Sequence, residues 1–365
     1  MSRLSFSCLS AVLSACCALG CGDTGAPPRD YGPLLAKLSE QVILPEHQAF
    51  ASEADLLSES VQALVDKPDS DSLASAQEHW RATRRAYRIL DALHFGPGYT
   101  LHISERIDVA PVEPDGIEAL VAKNDAIADS TIAKAGGHEK GFLGLEYVLF
   151  ADTSANADAE PPALAGDDLA ARRRELALAM AHEIQKSAHQ LDDAWEPSAG
   201  GYITQVQTAG SGSTEYNTQR AAVDDIVGGV AYALEMIVGV RLATPLGRKS
   251  GTDPDPKLDP TRRSDNSVAD LQATLAGIAV VYSGDGFSSV IRVKSAKLDD
   301  VVENGLSNVA QTLSVIPKPF SDAVVNDTAI VKAAYDAGVE LKKTWNTDVS
   351  SALGATLKPS DTDGD

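Results

Sequence analysis

The 365-residue sequence predicts an all-α protein, and three observations carry that reading. Apolar residues recur at steps of three and four over long stretches, so that strands are hard to place anywhere. Short breaks rich in Pro, Gly and Asp separate those stretches. One longer loop, residues 152–166, rich in Ala, Asp and Pro, divides the chain near its middle. Long amphipathic helices joined in this way make bundles, and the pattern gives two four-helix-bundle-like domains, about 31–155 and about 165–358.

Each helix is justified by its own apolar stripe. Leu73, Ala76, Trp80, Thr83, Tyr87 and Leu90 share one face, as do Leu176, Met180, Ile184, Ala188, Leu191 and Trp195. The rhythm returns at Val268, Leu271, Leu275, Ile278 and Tyr282, then at Val302, Leu306, Val309, Leu313 and Ile316, then at Ile330, Ala334, Ala337 and Leu341. Residues 223–240 form an apolar helix that carries one acid, Glu235, expected to be either a ligand or half of a helix-interior salt bridge. Breaks fall at DKPDS (66–70), at Gly96-Pro97-Gly98 and at TDPDPKLDP (252–260).

The N-terminus reads as an export signal. Met1-Ser2-Arg3 gives a positive start, residues 4–19 are mainly apolar and small, and no acid precedes Asp23. The segment is too short to span a membrane as a mature helix. Both Leu13-Ser14-Ala15-Cys16 and Ala18-Leu19-Gly20-Cys21 resemble a lipobox. Cys21 is preferred because it leaves a longer apolar stretch before the cut and a Gly/Pro-bearing tether, 21–30, after it; cleavage at Cys16 and plain secretion are the alternatives. With residues 1–20 removed, the one remaining cysteine is consumed by lipid and no disulfide framework is possible. The formal charge of −21 moves to −22 through loss of Arg3, and so acidic a surface argues against nucleic acid as a partner.

Two sets of residues carry candidate chemistry. In GFLGLEYVLF (141–150) an acid, Glu146, sits in an apolar helix, where a buried carboxylate requires a partner; Arg84 or Arg106 is the expected one. Arg84, Tyr87 and Asp91 stand at i, i+3 and i+7, so one helix face offers a guanidinium, a phenol and a carboxylate, able to bind an anion or to complete a metal shell with Glu146 and Asp108; the alternative is a core tyrosine flanked by two solvated charges. His182 and His189 lie opposite their helix's apolar stripe and face water; His94 and His102 flank the Gly96-Pro97-Gly98 break, where either is a surface residue or swings toward Glu146, and His138, five residues before Leu143, is read in the same way as a surface residue. The alternating Asp361, Asp363 and Asp365 resemble the start of a calcium loop but lack its closing bidentate acid. There is no phosphate loop, nucleophile elbow, HExxH or CxxC pair.

Residues 141–150 resemble the signature helix of the imelysin family, Gly-x-His-x-x-Glu before an aromatic and an apolar run, with Gly141 and Glu146 in place and Leu143 at the histidine position. HWRATRRAYRILDALHFGP (79–97), Arg106-Ile107-Asp108, the RRREL at 172–176, SVADLQATLAGIAVVYSG (267–284) and the acidic tail 359–365 are similar to further blocks of that family in the same order. The resemblance implies two four-helix-bundle domains in a bacterial cell-envelope lipoprotein, anchored on the outer-membrane or periplasmic face. It also implies association with iron-uptake components, and iron or another divalent cation as the cofactor. The family is classed by some as metallopeptidases; the lost histidine points instead to a non-catalytic metal- or iron-chelate-binding protein, with Glu146 as metal ligand. A zinc-dependent peptidase with a degenerate site, and an envelope scaffold with no small ligand, are the alternatives.

Overall fold

The computed structural model describes residues 29–123, 125–151, 164–166, 168–198 and 201–357, and among them there are helices, turns and loops but no strand. The expected signal segment 1–20 with Cys16 and Cys21, residues 21–28 of the tether, and the acidic tail 359–365 lie outside the described residues.

The predicted stripes become the buried faces of the long helices. Ser70–Ile89 starts where the DKPDS break ends it should: the Asp69 carboxylate accepts from the Ser72 N–H at 2.9 Å and the Asp69 N–H donates back to Ser72 Oγ at 3.2 Å, a reciprocal cap for otherwise orphaned amides. Its buried residues include Ala76, Trp80, Thr83 and Tyr87. The helix stops at Ile89 and tightens into a short turn, Leu90–Leu93, so Asp91 leaves the face shared by Arg84 and Tyr87.

Leu44–Asp66, Ser70–Ile89, Gly141–Leu149 and Asp168–Trp195 pack as one group. The last of these follows the mid-chain loop in sequence, yet it lies along Leu44–Asp66 and Gly141–Leu149. Gln219–Glu235, Ser267–Tyr282, Ala296–Ser314 and Thr328–Thr344 form the second group. Trp80 and Trp195 anchor the first and Trp345 the second, all fully buried. The described residues from Tyr31 onward form one compact unit with one continuous apolar core, because Ser267–Tyr282 lies directly on Ser70–Ile89. Gly277 permits this: a Cβ there would stand 2.2 Å from the Ile89 carbonyl oxygen.

Beyond Glu235 the helix widens into a π-turn, Met236–Leu242, the kind of local unwinding that re-aims a side chain. Arg241, on that turn, is thereby buried at the seam between the two groups. No single described helix is long and apolar enough to cross a membrane.

Candidate functional site

The seam holds a cluster of buried ions built from three segments of the first group and two of the second. Arg84 donates from Nε to Asp270 at 2.8 Å and from Nη1 to Asp108 at 2.9 Å. Arg88, one turn on, bonds the other oxygen of Asp108 and lies 3.6 Å from Asp91. Arg241 reaches Asp91 at 2.8 Å and Thr274 Oγ1 at 2.6 Å, and Thr274 donates in turn to Asp91 at 2.7 Å. Asn266 donates to the second oxygen of Asp270 at 2.7 Å. Three guanidinium groups thus face three carboxylates. Burial alone would raise the acids, but Arg241 and Arg88 hold Asp91 below the usual carboxylate range, and Arg88 and Arg84 do the same for Asp108. Among buried atoms of these side chains only Arg88 Nε and Arg241 Nη2 lack a hydrogen bond.

Of the predicted constellation, Arg84, Tyr87, Asp91 and Asp108 therefore do come together, and neither charge is solvated. Tyr87 is core, stacked at 5.4 Å on Phe142, and its ring carries the Arg88 guanidinium at 4.4 Å. Arg88, Arg241, Asp270 and Thr274 were not singled out in the sequence. The first was legible as the i+4 neighbour of Arg84, and Asp270 and Thr274 as an i, i+4 pair; nothing local marks Arg241.

Glu146 sits apart from this cluster. The signature helix Gly141–Leu149 is buried along its whole length. Its first residue needs to be glycine, because φ is +67° and a Cβ would meet the Ile107 backbone at 2.4 Å. The expected partners do not reach Glu146: Arg84 is committed to Asp108 and Asp270, and Arg106 donates to Gln190 at 2.8 Å. Instead Ser264 donates to Glu146 Oε1 twice, from its N–H at 2.8 Å and its hydroxyl at 2.6 Å. Arg81 fixes that loop by donating to the Ser264 carbonyl at 3.2 Å. Burial pushes Glu146 up to about 7, against the Ser264 hydrogen bonds and the field of Arg84.

Glu146 lines a cavity of about 800 Å³. One wall is the stretch from Ala110 to Gly116; the other is the loop from Lys257 to Arg263, with Pro111, Val112, Pro114, Leu258 and Pro260 as its apolar surfaces. Asp259, on that loop, is 2 % exposed; its Oδ1 accepts from Thr261 and Ser267, while Oδ2 has no partner among the described residues. Burial raises it to about 7 as well, with Asp270 and Asp265 adding to the shift. Arg263, 6 % exposed, lies 4.7 Å over the Tyr147 ring.

The histidines are occupied elsewhere. His94 stacks on Tyr232 at 3.9 Å, His102 lies 2.9 Å from Glu105, and His138 bonds the Pro111 carbonyl at 2.7 Å. His182 and His189 are partly exposed, as the stripe requires, and lie 2.8 and 2.7 Å from Asp129 and Asp55. Glu235 is ion-paired with Lys342. The groups around Glu146 do not suit a metal ion: its hydrogen bonds come from the Ser264 amide and hydroxyl, Leu143 is buried in the histidine position, and no described set of three or more His, Cys, Asp or Glu is arranged to hold one. Catalytic zinc takes three protein ligands, as a rule including nitrogen or sulfur.

The fold and this cavity define an all-α protein of two packed helical groups with an acid-bearing pocket beside the signature helix. The chain matches the family model of Imelysin (Peptidase_M75) over residues 43–345, and it belongs to that family. Its fold is similar to that of a Parabacteroides distasonis protein described provisionally as an iron-regulated protein A precursor, with a TM-score of 0.77, 18 % identity and coverage of 90 % of this chain and 97 % of that one. It is also similar to an imelysin-like protein from Psychrobacter arcticum 273-4, with a TM-score of 0.71, 17 % identity and coverage of 90 % and 96 %. A stretch of 78 residues, 21 % of this chain, is 35 % identical to methenyltetrahydromethanopterin cyclohydrolase from Methanothermobacter thermautotrophicus, of whose length the chain spans 24 %.

Proposed function

We propose that this chain is a non-catalytic binding protein of the bacterial cell envelope, lipid-anchored through Cys21, that holds an iron chelate in the cavity beside Glu146. The observation that carries the reading is the cavity itself: about 800 Å³, within the range that buries a compact organic ligand, apolar on both walls and supplied with a few buried polar groups. A bare ion would find no multidentate donor set there, whereas a chelate brings its own. The name of the Parabacteroides relative favours iron as the metal, and the iron-uptake apparatus as the setting.

Isothermal titration of the exported chain with ferric citrate, a ferric trihydroxamate and haem, beside ferric, ferrous and zinc ions, tests it. Heat with at least one chelate and none with the bare ions is expected, and Ala110→Trp, which places bulk at the exposed rim, should remove the chelate signal. Failure of every chelate to bind, or binding indifferent to Ala110→Trp, would overturn the proposal. Chelator-sensitive cleavage of an unfolded protein, lost in Glu146→Gln, would favour the peptidase reading instead.

A further inference from the structure

Arg263 is an anomaly among the buried arginines. Arg84, Arg88 and Arg241 each face at least one carboxylate within 2.9 Å, yet Arg263, equally buried, has no hydrogen bond or ion pair to any described residue, and its Nη1 is a buried donor without an acceptor. A guanidinium removed from water without a counter-ion is costly, and chains retain such a group where something outside the fold completes it. Its one strong contact is the Tyr147 ring, 4.7 Å from Cζ, which holds the guanidinium plane while leaving its N–H edge unused. Tyr147 is two positions past Leu145 on the signature helix and next to Glu146, so helix and loop deliver the cation to the cavity wall that also carries Glu146 and Asp259.

We infer that this cavity recognises the carboxylate of a small organic acid, with the Arg263 guanidinium on Tyr147 as its anchor and the Glu146 and Asp259 carboxyl groups as adjoining hydrogen-bond partners. Arginine's planar fork matches a carboxylate with two parallel N–H···O bonds. Of the four acids that line the cavity, Glu113 and Asp115 are exposed on the opposite wall, and Lys257 and Arg262 line it as well; the two that adjoin Arg263, Glu146 and Asp259, are kept protonated by burial up to near neutrality, and a protonated carboxyl donates to a ligand oxygen. A dianionic phosphate, with its higher charge density beside two acids, is a poorer fit than a carboxylate flanked by the apolar surfaces of Pro111, Pro114 and Pro260.

The inference rests on the cavity being the binding site proposed above, and its test separates the two. Citrate, metal-free and as its ferric complex, is titrated into the full exported chain and into Arg263→Met, Arg263→Lys, Tyr147→Leu and Ala110→Trp, with inorganic phosphate and the ferric trihydroxamate in parallel. Expected are citrate binding with or without iron, a loss of tenfold or more in Arg263→Met with partial retention in Arg263→Lys, a smaller loss in Tyr147→Leu, and no binding in Ala110→Trp. Phosphate bound as tightly as citrate, citrate binding unchanged in Arg263→Met, or no citrate binding at all would overturn the carboxylate assignment. If the trihydroxamate still binds and Ala110→Trp still blocks it, the cavity reading survives that failure; if nothing binds, both fall.

Discussion

Two buried charged regions lie close together in this protein and are built on opposite plans. In the seam, Arg84, Arg88 and Arg241 meet Asp91, Asp108 and Asp270 in equal number, and each acid named carries at least two close hydrogen bonds or ion pairs. The seam's two unpartnered nitrogens, Arg88 Nε and Arg241 Nη2, belong to guanidinium groups that each hold a carboxylate, whereas along the cavity the equally buried Arg263 holds none, Asp259 Oδ2 has no partner among the described residues, and Glu146 and Asp259 are pushed up to about 7. On the proposed function, the difference separates a structural cluster from a binding one. A closed network of opposite charges orients the elements that carry it, and an open one is where the proposed ligand would add the missing partner.

Breaking the closed network should have the largest effect. Asp91→Ala takes from Arg241 its one carboxylate and leaves Arg88 with Asp108 alone, and removing one partner of a buried pair typically costs about 3–5 kcal/mol. Urea unfolding should register a loss of that order. Arg263→Met provides the contrast: no carboxylate is stranded, the apolar side chain keeps its place on Tyr147, and stability should stay within about 1 kcal/mol of the parent. If the two substitutions cost the same, the distinction between the regions is wrong.

Leu143→His asks whether the signature histidine alone restores metal binding. Leu143 is 1 % exposed, so an imidazole there exchanges apolar burial for an unpaired polar ring, at a cost of about 2–4 kcal/mol. With Glu146 one turn on it would supply two donors, still short of a zinc shell. The variant should unfold at lower temperature and show no zinc-dependent recovery; a chelator-reversible rise in its melting temperature would mean that nearby groups complete the shell.

How much of this was legible in the sequence follows from the range of the interactions involved. The helices were, because a stripe such as Leu176, Met180, Ile184 and Leu191 is a local signal that burial merely confirms. The closed network was half legible: Arg84, Tyr87, Asp91 and Asp108 could be named from spacing and family resemblance, but Arg241 enters through a widened turn far along the chain and carries no local mark. The partner of Glu146 was not legible at all. Charge complementarity pointed to Arg84 or Arg106, while the actual donors are the amide and hydroxyl of Ser264, 118 positions away, in a loop whose placement no periodicity encodes. Asp259 and Arg263 lie in or next to that same polar loop, where a charged residue ordinarily signals solvent.

The smallest and most diagnostic expectation concerns pH. A carboxyl whose folded value is raised from 4.5 to about 7 binds its proton more tightly in the native state, so its contribution to stability is complete below the unfolded value and is lost as pH climbs through the folded one. Between about pH 4.5 and 7 Glu146 therefore makes the fold less stable with rising pH, and Asp259 acts in the same direction. His47, buried and held at about 4, runs the other way: its neutral ring favours the fold above the unfolded value of 6.5, and that gain is lost on acidification toward 4. Glu146→Gln keeps an acceptor for Ser264 and abolishes one of the two acid titrations. The variant should match the parent at pH 5 within about 1 kcal/mol, since the parent carboxyl is neutral there, and should gain on it at pH 8. Parallel melting curves at the two pH values would show the crossover; a Gln variant weaker than the parent at pH 8 would mean that Glu146 works in the fold as an anion, and the cavity wall would then belong with the closed network rather than apart from it.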